Sequence, residues 1–294
     1  MIVIVESGAT KCDWCAVSQG GDALNVRTEG MNLATMTVPA VEEVVREAVT
    51  SFERLSRREG FRGEVTEVHF YAAGLIVPED GAVPPLAAGL DGVLRGIFPG
   101  ASIEYASDLL AAARSVCGHR SGIAAILGTG SNSCLFDGEK IVRNVRSAGF
   151  ILGDEGGGAT LGKMFMADFL KGLVPEPIAS EFASSFEVDY MTVVRKVYRE
   201  EAPSKYLGSF APWILARYEP GSYIAGLVEL NFRNFIERAL LQYDIASYSV
   251  GVVGGFGHAH QEILRKVAEP YGIRFSSIIA APIEGLVAYH LGNN

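Results

Sequence analysis

The sequence predicts a two-domain α/β protein, on three observations. The chain has 294 residues, more than a usual single domain holds. Short, continuous apolar runs at 1–5, 123–127 and 249–253 alternate with longer segments of helical period, the pattern of strands buried on both faces under helices. One plan, an apolar run, a small-residue turn and a second run, occurs near residue 1 and again near residue 123, which suggests two related halves.

Taken in order, residues 1–5 read as a buried strand and Glu6-Ser7-Gly8-Ala9-Thr10-Lys11 as its turn. Residues 12–17 read as a second strand and, after Gly20-Gly21-Asp22, 23–29 as a third. Gly30-Met31-Asn32-Leu33 is a polar break. In 38–58, Val41, Val44, Val45, Ala48, Val49 and Phe52 recur at helical spacing. A strand at 65–73, a helix at 84–97 and a short strand at 102–106 follow. Ser107 is placed to cap a helix over 109–117, and Asp108 in its first turn suits the helix dipole. Beyond the central stretch, a helix is expected over 159–173, broken by Val174-Pro175-Glu176-Pro177, with helical pattern over 178–243. Then come a strand at 249–253, a helix over 258–268, a strand at 273–279 and a terminal helix over 282–291 opened by Pro282.

The chemistry concentrates in 123–158. Its first apolar run turns sharply through Gly128-Thr129-Gly130-Ser131, re-enters at Cys134-Leu135-Phe136 and ends in Gly153-Asp154-Glu155-Gly156-Gly157-Gly158. Such a turn presents backbone N–H groups and hydroxyls and can hold an anion, though an ordinary hairpin reads the same way. The net charge of −9 argues against broad nucleic-acid or anionic-membrane binding, but a local nest of amides can hold phosphate in an acidic protein. Four cysteines and no secretory pattern suit a reducing cytoplasm, and no run approaches the roughly 20 apolar residues of a membrane span.

In this order and spacing the pieces resemble the actin-like ATPase superfamily, and within it the BadF/BadG-type ATPase family that includes N-acetylglucosamine kinase. Residues 6–11 look like its first phosphate motif, Ile126-Leu127-Gly128-Thr129-Gly130-Ser131 like its second, Val252-Val253-Gly254-Gly255 like its adenosine motif, and Ser107-Asp108 like the place of the catalytic Asp. The resemblance implies two actin-like (ribonuclease H-like) α/β domains, 1–107 completed by 282–294, and 108–281, with a central ATP cleft. It implies ATP and Mg²⁺ as cofactors and phosphorylation of an amino sugar, N-acetylglucosamine first, to its 6-phosphate.

Phosphoryl transfer rests on positioning and charge neutralisation. Gly8, Ala9, Thr10 and Lys11, with Gly128, Thr129, Gly130 and Ser131, are the implied phosphate contacts, glycine allowing the close backbone approach. Lys11 also reads as a solvated strand-end lysine. Gly254 and Gly255 are the implied adenosine contacts, or a helix start without a ligand. Glu6 stands where many superfamily members carry Asp and is the implied Mg²⁺ residue. Asp108 is the implied general base, or merely caps its helix. Asn32 and Asp154 are the implied sugar ligands, while Asp154-Glu155 also reads as acids at a helix start. Ser147 and Ala148 depart from the Gly-Trp pair associated with N-acetyl recognition and leave the sugar open. The expected partner is a small-molecule sugar, with a homodimer as an option and neither nucleic acid nor membrane. Two other readings stay open: an ATPase activator of a 2-hydroxyacyl-CoA dehydratase, which needs exposed cysteines for a shared cluster, and a non-catalytic sugar- or nucleotide-binding protein.

Other signals are set aside. Gly157–Lys163 reads G-x-x-x-x-G-K, but Met164 replaces the hydroxyl residue of a P-loop. Cys12 and Cys15 have CxxC spacing on a strand, where the sulfurs face apart, and no second pair completes a zinc site. His258 and His260 read as surface or packing residues, and the aromatic residues of 190–223 as core or interface.

Overall fold

The computed structural model describes residues 1–8, 11–18, 20–59 and 63–292. Ala9 and Thr10, expected at a phosphate, lie outside them. The chain divides into two compact units, 1–120 with 138–140 and 282–294, and 121–137 with 141–281. Each is a mixed α/β unit around one five-stranded sheet.

In the first unit the strands are β1 (Ile2–Ser7), β2 (Lys11–Val17), β3 (Ala23–Glu29), β4 (Glu67–Ala72) and β5 (Ser102–Ser107), in the order β3-β2-β1-β4-β5. β1 pairs antiparallel with β2 and β2 with β3, whereas β4 lies parallel to β1 and β5 parallel to β4. Helices α1 (Val38–Glu59) and α2 (Ala88–Ile97) bury Val41, Val44, Val45, Leu90 and Leu94 against Val3, Val5, Trp14 and Phe70 on one face. On the other, α3 (Asp108–Cys117) brings Ala111 to Ile4, Cys15, Val17 and Tyr71, joined by Leu286 of the terminal helix. Cys12 and Cys15 therefore do face opposite sides of the sheet, as the period of two requires. The unit takes in α3, which the sequence reading placed at the start of the second domain. Its small apolar face packs on this sheet, and Gly285 lets the terminal helix approach so closely that a Cβ there would lie 2.4 Å from the Ser115 carbonyl oxygen.

The second unit repeats the plan. Its strands are β6 (Gly122–Leu127), β7 (Ser131–Phe136), β8 (Ile141–Val145), β9 (Val250–Val253) and β10 (Phe275–Ile279), in the order β10-β9-β6-β7-β8. β6 is antiparallel to β7 and β7 to β8, and β9 and β10 run parallel to β6 and β9. The two sheets thus share one connectivity, with β1 and β6 in the same place. β8 went unread in the sequence: Ile141-Val142-Arg143-Asn144-Val145 is an edge strand with exposed polar positions and no strong alternation.

The helices are α4 (Gly149–Leu152), α5 (Gly158–Leu170), α6 (Ile178–Ser185), α7 (Tyr190–Tyr198), α8 (Pro203–Gly208), α9 (Ala211–Leu215), α10 (Tyr223–Arg238), α11 (Gly255–Ala259) and α12 (Gln261–Ala268). The helix expected over 258–268 is in fact two, parted at His260. The terminal helix, α13 (Ile283–His290), has Pro282 as its cap rather than within its first turn. Phe165, Phe182, Phe210, Phe232 and Phe235 are fully buried and unite these helices with Ile123, Ala125 and Leu127 of the sheet in one core. Among the described residues, no helix is long and apolar enough to cross a membrane.

Candidate active site

In an open α/β sheet, ligands gather beyond the carboxyl ends of parallel strands. In the first unit those ends are in register: Ser7 of β1 lies beside Ala72 of β4, and Ala72 beside Ser107 of β5. Gly8 and Asp108 follow directly, so at about 4.8 Å per strand they start roughly 10 Å apart along one edge. Asn32 is brought to the same edge by Met31, whose N–H donates to Ser7 Oγ (3.1 Å) while that hydroxyl donates to the Met31 carbonyl (3.3 Å). Asn32 Oδ1 accepts from the Ala34 N–H at 3.1 Å, an Asx turn.

Charge distinguishes this edge. Glu6 pairs with Asp13 across the β1–β2 register. Burial, then the Asp13 carboxylate, raises the Glu6 carboxyl from its usual range to about 7; Asp108 pushes the same way and Lys11 opposes. Lys11 Nζ lies 3.3 Å from Asp13 Oδ2, and Arg27 Nε donates to Asp13 Oδ1 at 2.6 Å. The lysine expected at a phosphate therefore turns back to its own strand. Asp108 heads α3. Ser107 is its N-cap, accepting from the Leu110 N–H at 3.1 Å, so the capping role considered for Asp108 belongs to its neighbour. Asp108 Oδ1 accepts from the Leu109 N–H at 2.8 Å, and burial raises its carboxyl despite that bond.

In the second unit the Gly128–Ser131 turn is clamped from several sides. Gly128 N–H donates to the Gly130 carbonyl at 3.0 Å. The Gly128 and Thr129 carbonyls accept from the Gly158 and Ala159 N–H groups at 2.9 and 2.8 Å. The first turn of α5 thus meets the turn, placing the positive end of a helix dipole behind it. Asp154 Oδ1 accepts from the Ser131 N–H at 3.1 Å. A Cβ on Gly130 would lie 2.8 Å from Asp154 Oδ2, so only glycine leaves the carboxylate room.

Asp154, at the other end of the 123–158 stretch in sequence, touches the turn. It lies ahead of α5, in left-handed backbone with φ 56°, so it is not a first-turn acid of that helix either. Its carboxyl is raised by burial, with the Ser131 N–H opposing. Glu155 points away to Arg238, 3.0 Å from its guanidinium.

Sequence reasoning missed two features. Asn231, fully buried in α10, accepts from the Gly156 N–H at 2.9 Å and donates to the Gly157 carbonyl at 3.1 Å, fixing the glycine run. An amide amid Phe232, Phe235 and Ile236 was the available signal. The second feature is a cleft of about 670 Å³ within this unit. Gly128 and Thr129 line it, as do Gly255 and Phe256 of α11 and Pro212 and Leu215 of α9. The two predicted nucleotide motifs therefore share one cavity. Gly254 precedes Gly255 on the chain: at φ 132° it passes so near Leu127 that a Cβ would lie 2.3 Å from that carbonyl oxygen. The α9 wall was unreadable beforehand, since helices of a few residues leave little periodicity.

All four cysteines are buried. Burial pushes Cys12 up to about 12 and Cys15 and Cys117 to about 11. Among the described residues, no three His, Cys, Asp or Glu side chains gather as a metal site.

No protein-family model and no curated protein matches the chain. Solved structures do. A candidate N-acetylglucosamine kinase of Porphyromonas gingivalis is 35% identical, with 100% of this chain and 99% of that one covered and a TM-score of 0.86. A candidate N-acetylglucosamine kinase of Chromobacterium violaceum is 17% identical over 98% of each chain, with a TM-score of 0.71. A ROK-family glucokinase of Streptomyces griseus, solved with glucose and AMPPNP, is 17% identical over 98% of this chain and 97% of its own, with a TM-score of 0.55. The latter two share the fold, which is the actin-like α/β fold of the sugar kinases. By its identity to the first, along essentially the whole of both sequences, the chain belongs to the same family as the Porphyromonas gingivalis protein.

Proposed function

We propose that the protein is an ATP-dependent sugar kinase that phosphorylates an amino sugar, N-acetylglucosamine first, at its 6-hydroxyl. The observation that carries the reading is the clamped Gly128–Ser131 turn opening on a cleft that also holds Gly255. The family relative, a candidate N-acetylglucosamine kinase, supports the choice of sugar.

The Thr129 and Gly130 N–H groups and the Thr129 and Ser131 hydroxyls of the Gly128–Ser131 turn, with the α5 dipole behind them, receive the nucleotide phosphates. Gly8 and its neighbours Ala9, Thr10 and Lys11 receive the rest of the phosphate chain. Asp108 accepts the proton of the sugar hydroxyl as its oxygen attacks the γ-phosphorus. A carboxylate raised by burial is the better base for that step, provided it is ionised beforehand. Asn32 and Asp154 hold sugar hydroxyls, Asp154 using the oxygen that does not accept from Ser131.

Magnesium is held in such sites by one or two carboxylates together with substrate phosphates, and Glu6 is the carboxylate assigned to it here. The bound ion would supply neutralising charge on the phosphates. Glu6, raised to about 7 by burial and by Asp13, is well matched to a cation, which would relieve that opposition. A cytoplasmic setting completes the reading. Burial of all four cysteines disfavours the dehydratase activator, which needs thiols exposed for a shared cluster.

The test is ATP consumption against a panel of hexoses and N-acetylhexosamines. N-acetylglucosamine should stimulate turnover most, and Asp108→Asn should lower kcat by about 10² to 10⁴ while nucleotide still binds. If no sugar raises ADP release above background, the kinase reading fails; if the Asn variant keeps full turnover, Asp108 is not the base.

A further inference from the structure

The cleft of the second unit is unusual in how few side chains could read a ligand. Among its lining residues only Thr129 and His260 carry side-chain hydrogen-bonding groups, and the rest are Gly, Ala, Pro, Leu and Phe. Thr129 belongs to the phosphate end, in the turn itself. His260 lies at the other end of α11, which starts at Gly255 beside the Gly254–Leu127 contact and carries the chain away at about 1.5 Å per residue. The imidazole is half-buried and packs edge-on against Phe256 one helical turn back, ring centroids 5.5 Å apart. None of the hydrogen bonds among the described residues occupies its ring nitrogens, and burial lowers its pKa, so the ring is neutral at neutral pH.

Resting on the kinase reading, we propose that His260 is the side chain that contacts the nucleobase, and that the protein consequently accepts guanine as well as adenine nucleotides. A flat ring entering between the apolar wall and Phe256 meets no other side-chain donor or acceptor at its edge. Neutral imidazole offers one donor and one acceptor and exchanges them by changing tautomer or flipping. It can therefore accept from the amino group of adenine or donate to the oxo group of guanine. Strong discrimination arises when a fixed donor or acceptor is left unpaired by the wrong ligand, and a reversible one avoids that penalty. The site thus selects the polyphosphate and a planar ring rather than a particular base.

The experiment is calorimetric binding of AMPPNP and GMPPNP without sugar, followed by sugar-dependent turnover with ATP and GTP. For the natural chain the two dissociation constants should agree within about tenfold, and His260→Leu, which keeps the packing on Phe256, should weaken both by about tenfold. Turnover should show the loss in KM with kcat unchanged, and His260→Asn, which retains a donor and an acceptor, should restore most of it. Thermal melting of each variant separates a packing defect from a lost contact. A preference for adenine above about 100-fold, or unchanged affinity in His260→Leu, overturns the proposal. Binding of both nucleotides without any sugar-dependent turnover supports it while refuting the kinase reading, and failure of both to bind refutes both.

Discussion

The Ser7–Lys11 and Leu127–Ser131 turns hold the same place in the same sheet order, yet their surroundings differ. The second is braced by the first turn of α5, by its own Gly128–Gly130 bond and by Asp154. Its Gly128 and Thr129 carbonyls are consumed by α5, and its Gly128 and Ser131 N–H groups by the Gly130 carbonyl and Asp154. The first is closed between its described residues by the Gly8 N–H donating to the Lys11 carbonyl at 2.9 Å. It is flanked by Glu6 and Asp13 and lies along the sheet edge from Asp108, and Lys11 and Arg27 both pair with Asp13. One duplicated topology thus carries a turn braced by a helix in one unit and a turn flanked by carboxylates in the other.

The comparison can be broken at its brace. Asn231→Leu leaves the buried Gly156 N–H unpaired and strips the Gly157 carbonyl of one of its two donors, the Leu161 N–H remaining. It should cost about 3 kcal/mol by chemical denaturation. A loss under about 1 kcal/mol would mean that the glycine run holds itself. The charge of the first turn is tested by Glu6→Gln in magnesium-free buffer. Because the folded carboxyl sits near 7, above its ordinary 4.5, its stabilising contribution is full below about pH 4.5 and lost as the pH rises through 7. The Gln variant should match the natural chain at pH 4.5 and exceed it by about 2–3 kcal/mol at pH 8. A pH-independent difference would refute the assignment.

The two turns can also be compared directly. Gly130→Ala drives a Cβ into the Asp154 carboxylate and should destabilise by about 1–2 kcal/mol. Gly8→Ala meets, among the described residues, nothing nearer than the Lys11 carbonyl oxygen at 3.5 Å, and melting should move by less than about 0.5 kcal/mol. If turnover nonetheless collapses in Gly8→Ala, that backbone lies against the phosphates; unchanged turnover would remove Gly8 from the site.

Much of this was legible in residues 1–17 and 123–136. Apolar runs broken by Gly, Ser and Thr dictate hairpins, because an extended buried strand and a tight turn each accept few residue types. The Ser107 cap was legible for the same reason, being a local hydrogen bond between residues three apart. Contacts set by long-range packing were not. Asp154 meets Ser131 across 23 residues of sequence, and Asn231 meets Gly156 across 75. The Lys11–Asp13 pair was not legible either, because it depends on where a neighbouring side chain points.

By itself, then, the sequence determined two strand–turn–strand units with glycines at their tips and an acid heading α3. Local backbone sterics and apolar period suffice for that. Only the tertiary structure decided that the Gly128 turn and Gly255 line one cleft, that α9 walls it, and that Asp154 belongs to the turn. Those outcomes depend on which helix faces bury together, and burial is a property of the whole packed unit rather than of any stretch within it.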